Sequence, residues 1–142
     1  MPSEIRFLIA AENELVETVQ YYNYQSSGLG FEFAVEVAHT LNRIAEYPLA
    51  WHQLSARTRR CRTNRFPYGI IYQIRKNCIM IIAVMHLHRE PETWQERIKK
   101  TGESAKGGTF EEVFQNRKRG IWGRRYFFRD ERAAKKKAGK KI

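Results

Sequence analysis

RRCRTNRFPYGIIYQIRKNCIMIIAVMHLHR, residues 59–89, is the stretch around which the rest of the chain is organised. From Tyr68 to Ile74, aromatic and β-branched residues alternate at Tyr68, Ile70, Tyr72 and Ile74, the pattern of a strand with one buried face. From Cys78 to Met85 the run is apolar at nearly every position, as in a strand buried on both faces. Arg75, Lys76 and Asn77 separate the two runs, and Asn tolerates the left-handed conformation that a tight hairpin needs. The pattern predicts two neighbouring antiparallel strands at the centre of a sheet. Arg59, Arg60, Arg62 and Arg65 precede this hairpin, and His86, His88 and Arg89 follow it. Folding the arms together brings both groups to one end of the sheet as a compact cationic site.

Upstream, Ser3 to Ile9 alternates Ile5, Phe7 and Ile9 with other residues and reads as a first strand. From Ala10 to Tyr24 the spacing becomes helical, with Ala11, Leu15, Val19 and Tyr22 on one face. Ser26, Ser27, Gly28 and Gly30 interrupt it. A second helix follows with Phe33, Val37, Leu41 and Ile44 on one face, and Pro48 marks its end. The short connection predicts an antiparallel helix hairpin packed on the sheet, with Ala34, Ala38 and Ala45 allowing close approach. Trp51 is expected to fold back over the core, and Arg57 to Asn64 supplies the next strand. Pro91 to Lys100 reads as a short C-terminal helix. The expected architecture is α+β: an N-terminal strand, the helix hairpin on a small, mainly antiparallel four-stranded sheet, and that last helix.

The chain has 142 residues and a net charge of +11, a length that suits one domain. Residues 1–101 hold 13 Lys and Arg against 10 acids, and residues 102–142 hold 13 against 5, so most of the excess is in the tail. Gly102, Ser104, Gly107 and Gly108 read as a linker. The expected division is a folded domain over 1–101 and a basic, flexible tail over 102–142. In that tail, Trp122, Tyr126, Phe127 and Phe128 are interleaved with arginines, a composition able to contact nucleic acid. The longest apolar run is too short for a membrane span, and the expected location is cytoplasmic. Cys61 and Cys78 lack metal-ligand spacing and read as buried thiols; no cofactor is indicated.

The order strand, helix hairpin, three strands, with RFPYGIIYQI followed by AVMHLHREPETW, resembles the RelE/ParE superfamily of type II toxins, and in particular plasmid-stabilisation proteins. AENELVETVQYY, SSGLGFEF, YPLAW and RRCRTNRFPYGIIY support the resemblance, which spans nearly all of residues 3–98. It implies a small basic toxin that arrests growth once its cognate antitoxin is lost. RelE-like members cut messenger RNA on the ribosome, and ParE-like members bind and poison DNA gyrase. The resemblance leans to the ParE branch, with a metal-independent endoribonuclease as the alternative.

In the ribonuclease branch, arginines on these strands and a histidine or tyrosine near the last strand carry catalysis. That role would fall on Arg60, Arg62, Arg65, His86 and Arg89. Arginines suit phosphate, and His86 or His88 suits proton transfer near neutral pH. No tyrosine lies between Arg75 and Lys100, and Trp94 occupies the aromatic position after His-x-His-Arg. The same arginines also fit a solvated strand face or antitoxin contacts, and the two histidines, two apart, would share a face. Glu46 reads as a surface ion-pair partner, and His39 and His52 receive no role. A third reading is a degenerate toxin whose basic tail makes it a nucleic-acid-binding accessory.

Overall fold

The computed structural model describes residues 4–88, 93–99 and 106–115. The chain runs β1 (Ile5–Leu8), α1 (Ile9–Gln25), α2 (Leu29–Glu46), β2 (His52–Gln53), β3 (Thr58–Arg62), β4 (Tyr68–Ile74), β5 (Ile79–His86), α3 (Thr93–Lys99), β6 (Lys106–Thr109) and α4 (Phe110–Gln115). The sheet order is β2-β3-β4-β5-β1-β6. β1 lies parallel to β5 and the other pairings are antiparallel. The four expected strands are therefore the centre of a sheet that two short strands extend, β2 on one side and β6 on the other.

Periodicity explains the helix hairpin. Leu15 and Val19 of α1, and Phe33, Val37, Leu41 and Ile44 of α2, are all fully buried. Burying side chains of this size contributes roughly 1.5–3 kcal/mol each. The Gly-rich turn has two separate jobs. Gly28 has φ 92°, a left-handed conformation that only glycine adopts cheaply. Gly30 lies inside the first turn of α2, where a Cβ would sit 2.1 Å from the carbonyl oxygen of Val19. Ala34 is buried and Ala38 half-buried, but Ala45 is exposed, so the close approach belongs to the start of α2.

The reversal between β4 and β5 differs from expectation. No described non-glycine residue has a positive φ, so Asn77 is not left-handed. Four residues, 75–78, make the turn, and the Arg75 N–H donates to the Cys78 carbonyl at 2.8 Å. A loop of this length turns without a left-handed residue. Trp51 does fold back: half-buried, it donates its indole N–H to the Arg43 carbonyl at 3.3 Å.

β1 ends before β5 does, which leaves backbone groups of β5 unpaired on that side. A pair of charged side chains covers them. Glu14 of α1 accepts the Val84 N–H at 3.1 Å, and Arg97 of α3 donates to the Ile82 carbonyl at 3.1 Å. The two side chains also bind each other twice, at 2.6 and 3.0 Å. Trp94, buried in the core, anchors the same helix.

Residues 106–115, expected in the tail, belong to the fold. β6 lines the free edge of β1, the Gly108 N–H donates to Glu12 at 3.1 Å, and Val113 and Phe114 are buried. The boundary at 101 and residues 116–142, with their aromatic and arginine cluster, lie outside the described residues. Among the described residues no helix is long and apolar enough to cross a membrane.

Candidate functional site

Cross-strand partners share a face of a sheet, so the register sorts the basic residues. Arg60 stands beside Ile71 and Ala83, and Arg62 beside Gly69 and Met85. Cys61 stands beside Ile70 and Val84 on the other face. That other face is the one the helices cover, since Tyr68, two residues before Ile70, meets the Phe33 ring of α2 at 5.0 Å. Arg60 and Arg62 thus lie on the face that the helix hairpin leaves open. Gly69 makes room there: a Cβ would come within 2.9 Å of Arg60 Cδ and 3.2 Å of Leu87 Cδ2.

The loop after β3 is tied to α2 from below. Glu36, buried, accepts the backbone N–H groups of Asn64 at 2.5 Å and Arg65 at 3.1 Å. Arg43 donates to Asn64 Oδ1 at 2.8 Å and to the Arg62 carbonyl at 3.1 Å. Thr63 donates its hydroxyl to the Phe66 carbonyl at 2.5 Å. Arg65 projects outward, 3.7 Å from Glu32 and over the Phe66 ring. The result is an open cleft of about 710 Å³ whose basic lining is Arg43, His52, Arg60, Arg62, Arg65 and His88. Guanidinium groups converging in this way suit a phosphate or carboxylate.

The structure brings Arg60, Arg62 and Arg65 together and separates them from His86. The cause is a β-bulge. Ile71 pairs with Ala83 but Tyr72 pairs with Ile81, so Ile82 is an extra residue in β5. Strict alternation from Ile79 would place His86 on the arginine face. The extra residue reverses the alternation and puts it opposite Tyr68, on the helix-covered face. The chain leaves the strand after His86, and His88 enters the arginine cleft instead. The expected shared face of the two histidines is therefore replaced by two clefts, although their rings stay 5.3 Å apart. The His88 N–H donates to His86 Nδ1 at 3.1 Å, which leaves the neutral imidazole with its proton on Nε2.

Arg89 lies outside the described residues. His39 and Glu46 are exposed on α2 and do not line this cleft. Arg43, Glu36 and His52 are participants that the sequence reading passed over. His52 enters because it pairs with Arg60 across the two-residue strand β2, which carries no periodic signal. Burial pushes the Cys61 thiol up to about 11, against the opposing pull of Arg43, so it is no nucleophile at neutral pH. Among the described residues no three His, Cys, Asp or Glu side chains are placed to hold a metal ion.

The family model described as "ParE toxin of type II toxin-antitoxin system, parDE" matches residues 5–91. No curated protein sequence matches the chain. Among solved structures, a chain of "Chromosomal ParDE TA system from P. aeruginosa" is similar, with 13% identity and a TM-score of 0.46, over 61% of this chain and 96% of that one.

Proposed function

Because the chain belongs to the ParE toxin family of type II toxin-antitoxin systems, we propose that it arrests growth by binding DNA gyrase in the cytoplasm and is silenced there by a cognate antitoxin. The observation that carries gyrase over messenger RNA is the position of His86. RNA cleavage by the 2′-hydroxyl needs a base and an acid beside the groups that hold the phosphate. The bulge at Ile82 turns His86 away from Arg60 and Arg62, and no tyrosine follows Arg75 before Lys100 to replace it. An open cationic face from which the expected histidine is turned away suits binding better than cleavage.

Purified chain mixed with gyrase and relaxed plasmid should block supercoiling. Unchanged supercoiling at micromolar excess of the chain would remove the gyrase reading. A second reading is favoured by one specific observation, the presence of His88 in the cleft with Arg60, Arg62 and Arg65. In that reading His88, not His86, would exchange protons in a ribosome-dependent cut. Mapping of RNA 5′ ends after brief induction separates the two. New ends inside translated codons that vanish in His88→Ala but persist in His86→Ala would establish the nuclease.

A further inference from the structure

The helix-covered face of the sheet holds a second cleft, of about 500 Å³, where α1 passes the ends of β4 and β5. Its character is opposite to the arginine cleft. It is lined by Glu14, Glu17, Tyr21 and Tyr22 of α1, Tyr68 of β4 and His86 of β5. The α1 residues recur at helical spacing and so form one stripe. The rings are fixed by one another. Tyr21 meets Tyr22 at 5.4 Å and 66°, Tyr22 meets Tyr68 at 6.2 Å and 69°, and Tyr68 meets His86 at 5.2 Å and 76°. Phe33 supports Tyr22 and Tyr68 from the core, at 5.4 and 5.0 Å. This wall therefore exists before anything binds.

The charges narrow what fits. Glu14 is already joined to Arg97 by two hydrogen bonds, whereas Glu17 is exposed and makes no ion pair among the described residues. Burial, and then the neighbouring Tyr68 and Tyr21, push the Tyr22 phenol up, so it stays a neutral hydroxyl. An anion would meet the unpaired carboxylate of Glu17 beside three phenol rings, with Glu14 already neutralised by Arg97. A cation meets the same groups favourably. The cation should also be flat, because a planar group can lie against a ring while its edge offers paired donors to a carboxylate.

We propose that this cleft receives an arginine side chain presented by a partner polypeptide, its guanidinium against the tyrosine rings and its donors on Glu17. The partner segment is thus basic at this point, on a chain whose own net charge is +11. The site is separate from the arginine cleft, and it stands whichever target the toxin meets.

The test uses the full chain and a capped Gly-Arg-Gly peptide, with Gly-Lys-Gly and Gly-citrulline-Gly peptides of the same length. Citrulline keeps the shape and loses the charge. NMR signals of the Tyr21, Tyr22, Tyr68 and His86 rings should shift saturably with the arginine peptide. Affinity should be at least about fivefold lower for lysine and lower still for citrulline. Glu17→Gln, at an exposed position, should weaken binding by about tenfold with an unchanged unfolding midpoint. Citrulline binding as well as arginine, shifts confined to other residues, or a Glu17→Gln variant that binds like the parent would each overturn the proposal.

Discussion

Glu36 shows how a single side chain sets the shape of the cationic cleft. Its carboxylate has no cation beside it among the contacts described; it is held by two consecutive backbone N–H groups at the start of the loop that carries Arg65. Glu36→Ala would leave those donors without their acceptor and cost about 1–3 kcal/mol, measured as a lower urea midpoint. Asn64 and Arg65 amides should also exchange hydrogen faster, and unaltered exchange there would count against the tether. Cys61 gives the corresponding statement about pH. Burial holds its thiol at about 11 in the folded chain, and burial also raises the Tyr72 phenol, which donates to the Pro48 carbonyl at 2.5 Å. The folded state thus keeps protons that the unfolded state releases. This stability is complete below the unfolded thiol's value and is lost as pH climbs toward about 11, by roughly 2–3 kcal/mol for Cys61. Urea titrations under reducing conditions should show the parent losing stability above about pH 9, and Cys61→Ala losing less.

Gly30 is where the helix hairpin is most tightly fitted. A Cβ would stand 2.1 Å from the Val19 carbonyl and 2.6 Å from Asn23 Cγ, and Asn23 Oδ1 accepts the Gly30 N–H at 2.8 Å. Gly30→Ala must therefore push α1 and α2 apart, at a cost of about 3 kcal/mol. Denaturant unfolding checks it, and a loss under about 0.5 kcal/mol would mean that the helices can slide apart freely. The hairpin itself was legible, because Phe33, Val37, Leu41 and Ile44 repeat at helical spacing. So were β4 and β5, from alternation and continuous apolarity. The face that each strand residue occupies was less legible. One extra residue at Ile82 reverses every side chain after it, and nothing in an all-apolar run marks which residue bulges. The edge strands escaped for another reason. His52–Gln53 is too short for a period, and Lys106–Thr109 contains two glycines. One signal for the end of the fold was present: Thr109 and Glu112 form a reciprocal cap on α4, at 3.2 and 3.4 Å.

At the scale of the whole molecule, both sides of β1 are covered by the chain's own strands. β5 covers one side of β1, and β6 covers the other, with α4 folding Val113 and Phe114 into the core behind it. An uncovered β1 would present a row of unpaired backbone groups, and such an edge recruits strands from other molecules. The basicity of the segments beyond 101 therefore hides a structural contribution made by residues 106–115. Two truncations isolate it, one ending at residue 115 and the other at residue 105. The shorter chain lacks β6, α4 and the bond from Gly108 to Glu12. Against the longer chain it should lose about 3 kcal/mol of stability and run as larger species in size exclusion at high concentration. Equal midpoints and equal elution would mean that β1 needs no cover. A toxicity assay on the shorter chain would then report on the target, whereas a destabilised one reports first on folding. Any deletion meant to test the tail must for that reason begin after residue 115.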